Sequence, residues 1–290
     1  MFALMFYGIR QNNFNKSIKH YFLANNNMSW KTAMFSIVAT ETSVLTFISI
    51  PGISYRGDWT FLQLALGYIF GRVLVSLFLL PQFFKYGVTS IYEILEYRFG
   101  KSVQKLASAT FLITRLLADS VRFLATAIIL QVITGWSISF SVSLIAFVTL
   151  VYTVSGGLKT VIQVDAMQFL VYISSGFICI YFLLLDIDMS FLESIVHLNN
   201  IDKVSIIDFS GNLFTKPFMF ISAFIGGTML SLASHGADYM MVQRILSVKT
   251  LKSAKKAMIG SGIFVFIQFS IFLFVGSLIY IATGCSLLDK

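Results

Sequence analysis

Few residues in this chain could carry chemistry, and they fall into clusters. Ala39-Thr40-Glu41-Thr42-Ser43 sets one carboxylate among small and hydroxylated neighbours. Arg115, Asp119 and Arg122 stand four and three residues apart, which places them on one face of a helix. Gly226-Gly227-Thr228 is followed by Ser231, Ser234 and His235, and Asp165 is a lone acid between Val164 and Ala166. Carboxylates, hydroxyls and guanidinium groups of this kind bind. No Cys/His metal cluster, nucleophile–base pattern or Walker-type glycine loop accompanies them, so an enzyme is not expected. The missing Walker motif also argues against ATP-driven pumping by this chain itself.

The surroundings of these groups are a membrane. Of the 290 residues 57% are hydrophobic and 12% charged, against roughly 25% charged in soluble domains. Mean hydropathy is +0.83. A soluble globule, a disordered chain and a collagen-like fibre are excluded, and Cys179 and Cys285 make no disulfide framework. Apolar stretches at 32–55, 60–83, 106–134, 137–154, 161–185, 217–237 and 257–283 each reach the roughly 17–25 residues a helical span needs. Residues 1–7 are too short to span and have no basic n-region, so they read as the stump of a further helix. The expected fold is therefore all-α and polytopic, with about seven full spans.

The net charge of +8 is a topology signal, and nucleic acid is not expected as a partner. Alternate loops on one side hold fourteen Lys and Arg residues, from Arg10 and Lys31 through Lys85, Lys101 and Lys159 to Lys255 and Lys256. The other loops hold four, which puts the basic side in the cytoplasm. Residues 186–216 carry five acids and suggest a short external amphipathic cap. Ser90–Phe99, ending at Gly100, suggests a helix on the cytoplasmic surface. Pro51, Pro81 and Pro217 mark places where a helix bends, stops or starts.

This topology runs span one outward and span six inward, and both are rich in small and polar residues. That is the pattern of an inverted repeat with discontinuous binding helices. Close helix packing is the alternative reading of the span-six glycines. A mid-membrane carboxylate costs roughly 2.5–3.5 kcal/mol on insertion scales, which makes Glu41 a functional candidate. Its alternative is a structural ion pair with an arginine, for which Arg72 in span two is a candidate. The Arg115/Asp119/Arg122 face is either a self-neutralising triad or an anion site using its surplus positive charge, since guanidinium matches carboxylate geometry. His235 beside Gly236 and Asp238 binds a proton or caps a helix end.

Several segments, in order, resemble the sodium:solute symporter family. Ala39–Ser43 with Phe47 and Pro51-Gly52 resembles its broken first core helix, and Thr89–Gly100 its internal segment before the next helix. Tyr152-Thr153-Val154-Ser155-Gly156-Gly157-Leu158-Lys159 with Asp165 and Gln168 resembles its most recognisable motif. Val242–Ser247 resembles the loop after the sixth core helix. The resemblance implies a five-plus-five inverted-repeat, amino-acid-transporter-like fold, of which this chain is one truncated symporter domain. Residues 32–185 would be the first repeat and 217–283 the start of the second, with the remaining helices on a further segment or another chain.

The resemblance also implies roles. Sodium, as coupling ion and not as a cofactor, would bind the Ala39 and Thr42 backbone carbonyls. Glu41 sits where some members carry an acid tied to sodium coupling, and Asp165 where the family has an acid on the inner sodium route. Ser43, Thr46, Ser231 and Ser234 match substrate-contacting positions. Arg122, or Arg115, is similar to an arginine of members that carry acid sugars. The helix-two position where sugar carriers place a glutamate is Ala65, which counts against a hexose and leaves organic anions or amino acids. The implied activity is sodium-coupled symport of a small solute across the plasma membrane. The alternatives are a solute-sensing module of a signalling protein and a non-functional fragment.

Overall fold

The computed structural model describes residues 18–88, 90–211 and 218–284; the stretch 1–7, Thr89, Pro217 and Cys285 lie outside the described residues. Polar caps start many of the helices. Ser29 opens α2 (Trp30–Glu41) and Ser43 opens α3 (Val44–Arg56), each side chain accepting a backbone N–H three residues on. Ser137 opens α8 (Ile138–Asp186), Ser190 opens α9 (Phe191–Asn200), Asp238 opens α11 (Tyr239–Leu246) and Thr250 opens α12 (Leu251–Ala282). The remaining helices are α1 (Ile18–Leu23), α4 (Leu62–Leu74), α5 (Leu80–Tyr86), α6 (Glu93–Phe99), α7 (Lys101–Thr134) and α10 (Phe220–Gly236).

Four stretches are long and apolar enough to cross a membrane: Leu62–Tyr86, Lys101–Thr134, Gly157–Asp186 and Leu251–Ala282. Two more spans arise if each bent pair counts as one, α2 with α3 at 69° and α10 with α11 at 65°. The expected fourth span lies in the first part of α8, which includes the apolar stretch Ile138–Val151. It is joined to the fifth within α8, interrupted only at Gly157 (φ 60°, ψ −167°). That backbone conformation is open to glycine and closed to most other residues, so the sharp change of direction needs no loop. Pro81 does not end span two. The chain passes from α4 through a π-helical stretch, Val75–Leu79, into α5, and stops only at Gly87 in the left-handed region. The π stretch loosens the hydrogen-bond ladder where the proline lacks its N–H.

α12 is the axis of the bundle. Val265, Phe269, Phe272 and Leu273 pack against Val38 and Ala39 of α2, Ile50 of α3, Leu62 and Ala65 of α4 and Phe169 of α8. Phe35 stacks on Phe169 at 4.7 Å between centroids and meets Phe264 edge-on at 5.2 Å. In a bilayer, apolar contact alone does not drive helices together, so close backbone approach and polar ties carry the packing. Both are present. Ser54 Oγ donates to the Leu273 carbonyl at 2.6 Å, and Trp59 Nε1 donates to Ser277 Oγ at 2.9 Å. α9 is the expected amphipathic cap, with Leu198 packed on Phe274 and Leu278. α7 buries a single residue, Ala127, and leaves a long apolar flank bare.

A close seam joins α4 to α10. A Cβ on Gly67 would lie 2.9 Å from the Thr228 nitrogen, and one on Gly71 2.6 Å from the Thr228 carbonyl oxygen. Gly227 meets α4 backbone in the same way, while a Cβ on Gly226 would meet nothing within 4 Å. The span-six glycines therefore divide, Gly227 serving close packing and Gly226 facing open space.

Candidate functional site

The α2–α3 break is written in local hydrogen bonds. Thr42 and Ser43 are both extended (ψ 107° and 171°). The Thr42 N–H still closes on the Val38 carbonyl at 2.9 Å. The Ser43 N–H, which in an unbroken helix would reach Ala39, donates instead to Thr46 Oγ1 at 3.3 Å, and Ser43 Oγ accepts from the Thr46 N–H at 3.4 Å. This reciprocal capping box restarts the helix. It leaves the carbonyls of Ala39 to Thr42 in the terminal group that helix geometry does not satisfy.

Glu41, the last residue of α2, does not point to lipid. Its Oε2 pairs with Arg72 Nη2 of α4, and His235 Nε2 of α10 lies 3.8 Å from the same oxygen. Arg72 is fully buried, and its Nη1 donates to Ser261 Oγ of α12 at 2.6 Å. The ion pair that was the alternative for Glu41 is thus present, and it leaves only Oε1 for a cation. His235 does not merely cap a helix end. It is buried, its Nδ1 meets Ser234 Oγ at 2.8 Å, and its Nε2 has no hydrogen-bond partner. One residue further on, α10 ends, so the two helix breaks face each other across this cluster.

Thr42 Oγ1 donates to Gln268 Oε1 of α12 at 3.2 Å. Gln268 is completely buried and its Nε2 has no partner. A buried amide donor of this kind, beside freed carbonyls, is a group that pairs with a polar partner when one is bound. Among the described residues no three His, Cys, Asp or Glu side chains gather to hold a metal ion. A cation here would depend on carbonyl and hydroxyl oxygens, the hard donors that suit an alkali ion.

Below the break, Asp165 is buried and tied to two other elements. Its Oδ2 accepts from Ser36 Oγ at 2.8 Å, Thr40 Oγ1 at 3.3 Å and Arg244 Nη2 at 2.8 Å. At 8% accessibility it is no water-exposed acid. Arg244 also donates through Nη1 to the Met240 carbonyl at 2.7 Å, so this cluster links α2, α8 and α11.

The Arg115/Asp119/Arg122 face is paired within itself and with Asp238. Arg115 Nε donates to Asp119 at 3.0 Å and Nη1 to Asp238 at 3.3 Å, while Arg122 reaches Asp119 at 3.5 Å. Asp238 supplies a second acid, so the surplus positive charge expected of this face is balanced, and Arg122 is well exposed at 43%. Asp238 also caps α11, accepting from Met240 and Met241 N–H groups. Tyr92 donates to the Ala237 carbonyl at 3.2 Å. Its own burial, then the Asp238 charge, push its pKa up to about 12. Ser231 Oγ donates to the Tyr68 carbonyl at 3.1 Å inside the α4–α10 seam. Ser231 and Ser234 are thus engaged in packing and with His235, whereas Ser43 and Thr46 sit at the break itself.

Two broken helices crossing a bundle of apolar spans, with freed carbonyls and a buried charge cluster between them, define an integral, multi-pass membrane protein. Residues 21–285 match the sequence profile of the sodium:solute symporter family, and the chain belongs to it. That family consists of transporters and not enzymes. The human sodium/iodide cotransporter is 27% identical over 90% of this chain and 40% of its own length. Human sodium-coupled monocarboxylate transporter 2 is 30% identical over 83% and 38%. The sodium/sialic acid symporter NanT of Aliivibrio fischeri is 29% identical over 96% and 55%. A solved Na+-coupled sialic acid symporter, in a substrate-bound outward-open state, superposes with a TM-score of 0.90 at 25% identity, covering 99% of this chain and 60% of that one. The chain thus spans about 40% of the length of the first two of these relatives.

Sequence reasoning missed Gln268 and the roles of Arg244 and Asp238. Gln268 had a signal: it is a lone amide within the apolar run Ile263–Leu273, where an unsatisfied polar group is costly. Nothing local announces that Arg244 reaches Asp165, 79 residues away.

Proposed function

We infer that this chain forms the sodium- and solute-binding portion of a secondary transporter in the plasma membrane. Residues 32–185 make the first inverted repeat and 217–283 begin the second. A sodium ion sits at the carbonyls of Ala39 and Thr42, with Glu41 Oε1 adding negative charge. Asp165 lies on the ion's inner route, held by Arg244 until the ion passes. The solute lies against Ser43, Thr46 and Gln268. A small organic anion suits the orphan Gln268 donor, and the relatives that carry iodide, monocarboxylate and sialic acid speak for anionic cargo. Arg115, Arg122, Ser231 and Ser234 act as scaffold, since each already has a partner.

The observation that carries this reading is the meeting of two helix breaks, bent by 69° and 65°, at the Glu41–Arg72–His235 cluster. Sodium bound at one break stabilises the arrangement in which the solute site is formed, and shifting the two bent spans against the rest exposes both ligands inward. The test is uptake into vesicles carrying the chain together with the segment that corresponds to the remainder of its relatives. Monocarboxylate uptake driven by an inward sodium gradient and abolished when sodium is replaced by choline supports the reading. Uptake indifferent to sodium rejects it.

A further inference from the structure

The cytoplasmic ends of α2 and α12 meet in a groove of about 660 Å³ that the transport reading does not use. Its lining includes Trp30, Lys252, Lys255, Lys256, Ile259 and Ile263, and it contains no acidic residue. On α12 these positions recur at intervals of three and four, so they form one stripe, lysines first and isoleucines after. From Lys255 to Ile263 the stripe runs about 12 Å along the helix axis. Lys31 and Lys256 flank the Trp30 ring, each ammonium 5.8 Å from its centroid. Among the described residues Lys31, Lys252, Lys255 and Lys256 form no salt bridge, and the first turn of α12 has no acid of its own. Lysines at a helix start also stand against the positive end of its dipole, so the groove carries uncompensated positive charge.

We propose that this groove binds an anionic phospholipid of the cytoplasmic leaflet, its phosphate held by Lys31, Lys252, Lys255 and Lys256 and an acyl chain laid along Ile259 and Ile263. Charge and polarity change along the stripe in the order that a headgroup and its chain require. The loop distribution of Lys and Arg puts this end in the cytoplasm, where a polybasic surface attracts acidic lipid. Residues 1–17 carry Arg10 and Lys16 and no acid, so their charge does not match the groove. A lipid seated here ties the N-terminal half of the broken span to α12. The inference rests on membrane orientation and not on sodium coupling.

Trp30 is a built-in reporter. In the Trp59→Phe/Trp136→Phe variant it is the only tryptophan, and the protein is reconstituted in phosphatidylcholine vesicles containing brominated phosphatidylglycerol or the same fraction of brominated phosphatidylcholine. The expected result is about twofold or greater excess quenching by the anionic lipid. That excess disappears in Lys252→Gln/Lys255→Gln/Lys256→Gln and persists when millimolar inorganic phosphate is added. Equal quenching by both lipids, an excess unchanged by the lysine substitutions, displacement by free phosphate, or no quenching because another segment fills the groove would each overturn the proposal. If the tryptophan variant fails to fold, native mass spectrometry of the unsubstituted chain replaces it. Retained phosphatidylglycerol in preference to phosphatidylcholine, lost in the triple-lysine variant, is expected; no preference refutes the site.

Discussion

Replacing Arg72 and Glu41 singly and together tests whether their pair bolts the first helix break to the bundle. Arg72 is completely buried, while the Glu41 side chain keeps 18% of its accessibility. The two partners are therefore not equivalent. Glu41→Leu strands a guanidinium that cannot lose its proton, and breaking a buried pair in this way costs about 3–5 kcal/mol, so the upper end is expected. Arg72→Met strands a carboxylate that retains some water and has His235 3.8 Å away, so about 3 kcal/mol is expected. The double replacement leaves no stranded charge, and apolar substitutes for a buried pair are often near neutral. Its loss should be about 1–2 kcal/mol, well below the sum of the two. The assay is equilibrium unfolding in mixed micelles with rising SDS, read by tryptophan fluorescence. Single effects that add to within about 0.5 kcal/mol would show that the two side chains act independently and would refute the reasoning.

The α4–α10 seam predicts opposite fates for two glycines. Gly67→Ala forces a Cβ to 2.9 Å from backbone nitrogen and should destabilise by about 1–3 kcal/mol, whereas Gly226→Ala meets open space and should be neutral or stabilising in the same unfolding assay. At the Ser190 cap of α9, hydrogen bonds from the Ser190 side chain and backbone hold the Glu193 carboxyl below its ordinary value of 4.5. A depressed carboxyl contributes stability above its unfolded pKa and loses it as pH falls through the folded one. The stability gap between the unsubstituted chain and Glu193→Gln should accordingly close as pH is lowered below 4.5; a gap that widens in acid would contradict the capping role.

The parts of this fold that local chemistry dictates could be read from the residues. The capping serines at 43 and 190 restart helices where the pattern Ala39–Ser43 and the acidic stretch after Asp186 suggested a break and a cap. Spans followed from apolar length, although Gly157 merged two of them and the π stretch carried span two past Pro81. Partners across the bundle were less legible, because they depend on helix rotation and depth, which periodicity fixes only approximately. Arg72 could be proposed for Glu41 as an arginine in the next span. Asp238 completing Arg115, Arg244 closing on Asp165 and Gln268 facing Thr42 required the helices to be assembled. The serines of α10 illustrate the limit most plainly: their spacing is that of a binding face, yet Ser231 is turned into the seam with α4.

The central claim is that the Thr42–Ser43 break holds the coupling ion, and 22Na+ binding to the reconstituted chain, joined to the segment that completes its relatives' length, addresses it directly. Thr42→Pro removes the N–H that closes on Val38, crowds that carbonyl and disfavours helical backbone at Glu41, so it displaces the last turn of α2 and with it the Ala39 carbonyl that the ion uses. The account predicts saturable binding that falls at least about tenfold in affinity in this variant, a change of about 1.4 kcal/mol, and that responds far less to Arg122→Ala. Saturable binding of equal affinity in the Thr42 variant would place the ion elsewhere and contradict the account.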